Sequence, residues 1–171
     1  MGWSINIPYI KRLNKRGLDN MYYVNDFSSS MDGELVYEGM SAGYYVYKAK
    51  IENGEFTNYR YDGNYWQITD KKGTKYTFGS SSGQGHQSDP NNSARVYKWM
   101  VTEIRDTNDN FIKYTYTNEN GQIYPDRIIY TGNGLTDGPF SVVFLYEARS
   151  DVPVLNMYGF PLQTLKRIKY I

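Results

Sequence analysis

Cysteine is absent from the 171 residues. That excludes disulfides, thiolate metal sites and a cysteine nucleophile. Histidine occurs once, as His86. No run approaches the roughly 18 apolar residues that a membrane-crossing helix needs. An excess of one charge is also missing: 19 basic and 18 acidic side chains leave a formal net charge of +1. Neither a polybasic nucleic-acid surface nor an acidic tail is expected from that balance. The opening MGWSINIPYIKR has no long apolar core and no small-residue cleavage site, so no secretion signal is expected there. With 40% hydrophobic residues, residues 1–171 suffice for one domain with one core.

What the chain has in excess is tyrosine, 19 of them against 3 Trp and 7 Phe. Aromatic residues favour strands and suit surfaces that are half wet and half packed. WSINIP alternates and predicts a short strand ending at Pro8; DNMYYVNDFSSSMDGE reads as loop with short extended pieces. From Gly43 the pattern is clearer. GYYVYKAK, EFTNYRY, NYWQIT and TKYTFG are separated by ENG, DG and DKKG. Short aromatic strands between such turns predict an antiparallel meander. SSSGQGHQSDPNNSA, 80–94, reads as a long polar loop. Two strands then flank DTNDN, and NENG turns the chain again. RIIYTG and FSVVFLYEAR follow, the latter the most apolar run and the expected central strand. GFPLQTLKRIKYI closes the chain as a strand. The expectation is an all-β fold of antiparallel hairpins with little helix. In the hairpin around DTNDN, Ile112, Tyr114 and Tyr116 share one face.

Candidate sites follow from residue chemistry. Asp106, Asn108 and Asn110 alternate carboxylate and amide oxygens as calcium loops do, but lack a mid-loop glycine and a distal glutamate. Turn chemistry, in which Asp and Asn bond nearby backbone N–H groups, is the simpler reading. His86 sits beside Ser80, Ser81, Ser82 and Asp89, but nothing apolar would hold a triad rigid there, and a surface histidine is expected. Glu103, Asp62, Asp70 and Asp106 are the carboxylates available for a glycosidase pair, and nothing in the sequence sets two of them across a cleft. Trp3, Trp66 and Trp99 are natural stacking platforms for a carbohydrate; as core anchors they would be buried instead. Lys11, Arg12, Lys15 and Arg16 read as a solvated basic face. No catalytic residue, metal or cofactor is assigned.

Several segments match one family in order. GWSINIPYIKR with Asp26–Phe27, YWQITDKKGTKYTFG, ARVYKWMVTEIRDTNDNFIKYTY, YPDRIIYTG, FLYEARSDV and GFPLQTLKRIKYI together resemble the N-terminal region of the Salmonella virulence plasmid B (SpvB-like) proteins. The same region occurs in the B component of insecticidal toxin complexes, related to Rhs and YD-repeat shell proteins. The resemblance implies a sheet fragment of a larger β-shell enclosing a C-terminal effector, with no catalytic residue in this region. It implies a piece of a longer, secreted or cell-surface bacterial protein. The partners would be the remaining strands of the parent shell or a companion toxin subunit, with edge-strand self-association of the isolated piece. Trp99, Tyr114, Tyr116, Phe144, Tyr146 and Ile168 are the expected packing or inter-layer residues. Asp109 departs from the family's pattern, standing where its turn glycine falls. A carbohydrate- or surface-binding β module is the alternative reading.

Overall fold

The computed structural model describes residues 5–171 apart from 53 and 56. Among these residues regular structure is almost entirely strand, with one 3-10 turn at Leu18–Asn20. The strands are β1 (Tyr9–Arg12), β2 (Phe27–Ser29), β3 (Gly33–Ser41), β4 (Tyr44–Ala49), β5 (Asn58–Tyr61), β6 (Trp66–Thr69), β7 (Lys75–Phe78) and β8 (His86–Asp89). Then come β9 (Asn92–Arg105), β10 (Asn110–Glu119), β11 (Gln122–Asn133), β12 (Phe140–Val143), β13 (Leu145–Ala148), β14 (Val154–Leu155), β15 (Leu162–Gln163) and β16 (Lys166–Tyr170).

Strands β1 to β7 are successive antiparallel neighbours, and β7 pairs with β9. β9 also pairs with β1, through Tyr9–Met100, Ile10–Trp99 and Lys11–Lys98. This closes an eight-stranded barrel. β9, at 14 residues, is long enough for two partners along each edge. Its Met100 N–H donates to Gly85 O (2.8 Å) and Met100 O accepts from Gly79 N–H (2.9 Å), while the next amide, Val101, donates to Pro8 O (3.0 Å). Successive amides of an extended chain face opposite edges. β7 and β8 therefore share one edge. β10 pairs with Glu103–Arg105, residues that β7 already holds, so it takes the other edge beside β1. From there β10, β11 and β12 run on as a sheet outside the barrel.

Period-two alternation fills the barrel. Tyr59, Tyr61, Trp66 and Ile68 are buried, while Asn58, Arg60, Gln67 and Thr69 between them are exposed. Phe27 stands at the centre. Its ring centroid lies 4.8 Å from Trp66, 5.5 Å from Tyr61, 5.6 Å from Tyr47 and 5.8 Å from Trp99, all edge-on. That is the arrangement the aromatic quadrupole prefers. Each such ring removes ~150–250 Å² from water. At ~25 cal/mol per Å² this is about 4–6 kcal/mol per ring, an upper bound against a compact unfolded chain. A second cluster lies outside the barrel wall: Met21, Tyr97, Phe160 and Leu162, with Tyr158 stacked on Tyr97 at 3.7 Å. It pins the segment before β16 onto β9.

Several expectations change. No strand ends at Pro8; β1 begins after it. The polar stretch 80–94 is not a free loop, because it contains β8, whose four residues are all buried. Gln87 Nε2 donates to Gln122 Oε1 (2.5 Å) and Asp89 pairs with Arg95 (2.9 Å), so these two buried side chains find partners, whereas His86 Nε2 has none among the described residues. Gly121 lets the β10–β11 turn press on β8: a Cβ there would lie 2.2 Å from Ser88 O. FSVVFLYEAR is not one central strand. It breaks at buried Phe144, whose N–H bonds Asp126 O; β12 before it is an edge strand on β11, and β13 after it pairs with β16 in a separate ribbon. An apolar run cannot show where a chain changes partners.

Removing the central ring tests this account of the core. Phe27→Ala is expected to lower unfolding free energy by about 3–5 kcal/mol, read by urea denaturation. A loss below about 1 kcal/mol would mean that the ring is not packed as described.

Candidate functional site

The acidic residues of the hairpins share one task. In DTNDN, the Asp106 N–H donates to Asn110 O (2.9 Å) and the Asp109 N–H to Asp106 O (3.2 Å). Asp106 Oδ1 accepts the N–H groups of Asn108 (2.8 Å) and Asn110 (2.9 Å), and Oδ2 accepts Asn110 Nδ2 (2.9 Å). Asn110's donors hold the Asp106 carboxyl below its usual range. This is a three-residue hairpin loop whose last residue is left-handed. DKKGT repeats it: Asp70 N–H donates to Thr74 O, Gly73 N–H to Asp70 O, and Asp70 Oδ1 accepts from Lys72 and Thr74. Gly73 has φ 84° where Asp109 has φ 62°. Asp109 thus occupies a glycine conformation. Asp62 Oδ1 likewise accepts from Asn64 and Tyr65.

These bonds show what the candidate metal-binding and glycosidase side chains are engaged in. The oxygens of Asp106 and Asn110 face donors; Asn110 Oδ1 accepts from Asn133 Nδ2 at 3.0 Å, and Asn108 O accepts from the same amide at 3.1 Å. Among the described residues no group of three His, Cys, Asp or Glu side chains gathers. Asp62, Asp70 and Asp106 are committed to turns, and Glu103 pairs with Arg105 at 2.8 Å.

His86 is not on the surface; it is 7% exposed. Its ring stands edge-on to Trp99 at 6.4 Å, and Gly79 is tight beside both: a Cβ there would lie 2.6 Å from His86 Nε2 and 2.7 Å from Trp99 Cδ1. Burial pushes its pKa down to about 4. The Ser80 and Ser82 hydroxyls bond each other at 2.9 Å. Arg12 is not part of a solvated basic face either. Its guanidinium lies 5.0 Å from the Phe27 ring and 5.5 Å from Trp99, with Nε donating to Val96 O at 3.0 Å. Aromatic faces and carbonyls replace water around this cation, and desolvation lowers its pKa.

The tryptophan platforms have a definite placement. Trp3 lies outside the described residues. Trp66 is 0% and Trp99 1% exposed, with the Trp99 indole N–H on Asn64 O at 2.7 Å. Neither presents a ring face to a ligand, because both fill the barrel. The other packing residues occupy separate places. Tyr114 packs against the barrel core, and Tyr116 O–H donates to Val101 O at 2.6 Å. Phe144 is buried; Tyr146 lies edge-on to Tyr124 and donates to Pro125 O at 2.6 Å. Ile168 is 41% exposed on β16.

The sequence reading missed two surface features. One is a cleft of about 360 Å³ at the barrel rim, lined by Arg16, Val24, Asn25, Asp26, Tyr37, Tyr45 and Tyr47. Its signal was the run of tyrosines in β3 and β4. The other is the C-terminal edge. β12, β13–β16 and β14–β15 lie outside the barrel, and Phe140, Leu145, Val154, Leu155, Ile168 and Tyr170 on them are exposed.

Comparison with known proteins identifies the setting of these surfaces. Residues 1–134 match the family described as Salmonella virulence plasmid 65kDa B protein. No curated protein matches by sequence. The fold is similar to that of the N-terminal domain of effector protein SpvB from Salmonella typhimurium strain LT2, with TM-score 0.78 and 18% identity over 98% of this chain and 75% of that one. It is also similar to a TcdB2-TccC3 structure, with TM-score 0.77 and 20% identity over 98% of this chain and 11% of that one. A third similarity is to the Photorhabdus luminescens Tc holotoxin pore, with TM-score 0.75 and 18% identity, again over 98% of this chain and 11% of that one. The chain therefore spans three quarters of the first and about a tenth of the other two.

Two measurements check the turn and the histidine. Asp109→Gly is expected to raise stability by about 0.5–1 kcal/mol, since it relieves a left-handed L-residue at some cost in chain entropy. Asp106→Ala is expected to lower it, and the opposite order in urea midpoints would contradict the turn geometry. His86 stays neutral when folded down to about pH 4, whereas an unfolded histidine protonates near 6.5. Its contribution to stability is therefore complete above pH 6.5 and falls as pH drops from there towards 4, by at most ~1.4 kcal/mol per pH unit. His86→Gln should flatten that segment of the stability–pH curve; an unchanged slope would place the titration elsewhere.

Proposed function

The chain belongs to the Salmonella virulence plasmid 65kDa B protein family, and on that premise we propose that it is a non-catalytic structural domain of a toxin-like β-shell. Its barrel is a packed plug, and its outer sheet is the part that joins further strands. The observation that carries this reading is the division of the molecule. The barrel interior is filled by its own side chains. The C-terminal strands instead form two-stranded ribbons with exposed apolar residues. Isolated ribbons of that size are marginal in water, and open edges invite pairing. A third or fourth strand beside β12, β13 or β16 would bury Phe140, Leu145, Ile168 and Tyr170.

The domain would thus be one piece of a longer protein, secreted or at the cell surface, that encloses or delivers a C-terminal effector. Its partners are the remaining strands of that shell or a companion subunit. Relatives that are far longer than this chain, among them proteins solved as TcdB2-TccC3 and as a Tc holotoxin pore, support this reading. In the isolated chain the same edges support weak self-association.

Hydrogen exchange tests the division. In the isolated chain, amides of β13, β14, β15 and β16 are expected to exchange orders of magnitude faster than those of β5, β6 and β9. Sedimentation at rising concentration should show association that Ile168→Lys and Tyr170→Lys remove. Uniform protection together with a strictly monomeric chain would argue against an assembling edge.

A further inference from the structure

We propose that the cleft at the barrel rim, between the β3–β4 hairpin and Val24–Asp26, binds a neutral carbohydrate, with Tyr37 as its stacking face. The observation comes from the barrel's own geometry. Tyr37 pairs with Tyr47 across β3 and β4, so both point to the inner face, as does Leu35 two residues before it. Leu35 and Tyr47 are buried at 5% and 2%, yet Tyr37 is 50% exposed. The hairpin runs past the packed core and carries its inward face into the open. Tyr45, two residues from Tyr47, shares that face and lies 6.3 Å from Tyr37 with the rings inclined at 52°. Tyr47 forms the floor, 5.5 Å from Tyr37.

The rest of the lining selects the ligand class. Arg16, Asn25 and Asp26 are planar hydrogen-bonding groups whose paired donors and acceptors suit vicinal hydroxyls. Arg16 Nε lies 3.5 Å from Asp26 Oδ2, so the two charges offset each other and leave no surplus to attract an anion. Among the described residues the Tyr37 and Tyr45 hydroxyls have no hydrogen-bond partner, which leaves both for a ligand. Among the described strands β2 holds β3 only at Gly33–Leu35, so a peptide adding to β3 beyond Leu35 is the competing occupant, and the peptide control reads it. Val24 is the one aliphatic side chain among the lining residues. Apolar aromatic faces bordered by planar polar groups fit the C–H face and hydroxyl rim of a hexopyranose. The buried tryptophans are not involved. No residue of β12–β16 lines the cleft, and its failure would leave the shell reading intact.

Saturation-transfer NMR and calorimetry on the 171-residue chain would test this. The probes are neutral mono- and disaccharides of glucose, galactose, mannose and N-acetylglucosamine, with a heparin oligosaccharide and a tyrosine-containing peptide as controls. Binding of at least one neutral sugar at about millimolar Kd or tighter is expected. Tyr37→Ala should weaken it about tenfold or more with the thermal midpoint unchanged, and Tyr37→Phe, which keeps the ring, should weaken it less. Asn25→Ala should also weaken it; because Asn25 Oδ1 accepts from Arg12 Nη1 at 3.4 Å, its thermal midpoint is read alongside. The proposal is overturned if no neutral sugar binds, if Tyr37→Ala leaves binding unchanged, or if only the heparin oligosaccharide or the peptide is bound.

Discussion

The structure depends on one closure, the pairing of Tyr9, Ile10 and Lys11 with Met100, Trp99 and Lys98. Without it β1 and β9 would be two bare edges of a curved sheet, with Ile10, Phe27 and Trp99 open to water. With it the barrel has a continuous wall around a packed interior. The same strand that seals the wall also carries β8 and β10 on the lengths of edge left over. Interior and periphery therefore share one backbone. A disturbance of β9 between Lys98 and Arg105 cannot stay local, because that stretch is bonded on two sides.

Side-chain chemistry follows a similar economy. The aspartates that suggest a cation loop or an acid pair are consumed by the hairpins they sit in. The single histidine is part of the wall, wedged between Gly79 and Trp99. Arg12, in a basic run, closes over aromatic rings. What remains available for contact is the rim of the barrel and the strand edges beyond it. The proposed shell role calls on such surfaces and edges.

Legibility in the sequence divides along physical lines. The meander from β4 to β7 is readable, because strict alternation and Asp-Gly or Asn-Gly turns are local signals. The DTNDN turn is readable for the same reason, and its likeness to DKKGT explains how Asp109 takes a glycine's place. β8 is not readable. His86, Gln87, Ser88 and Asp89 are residues that usually face water, and only partners distant in sequence, such as Gln122, make their burial tolerable. Closure is equally hidden, since nothing within YIKR names its partner at Lys98–Met100. The break at Phe144 escapes notice because apolar content is the same on both sides of it. Of the surface features, the tyrosine wealth was plain, but which rings face water depends on where the hairpin outruns the core.

The sequence distance between β1 and β9 also orders events in time. Neighbouring strands from β2 to β7 are close in sequence, several of them joined by short turns, and these contacts close quickly. The seal at Met100 joins the first strand to one that leaves the ribosome only after every other wall strand. Until then β1 keeps an unpaired edge and the growing sheet shows its aromatic face. Chaperone dependence during synthesis should therefore be concentrated in nascent chains that stop short of β9, and should fall away once residues 98–101 have emerged.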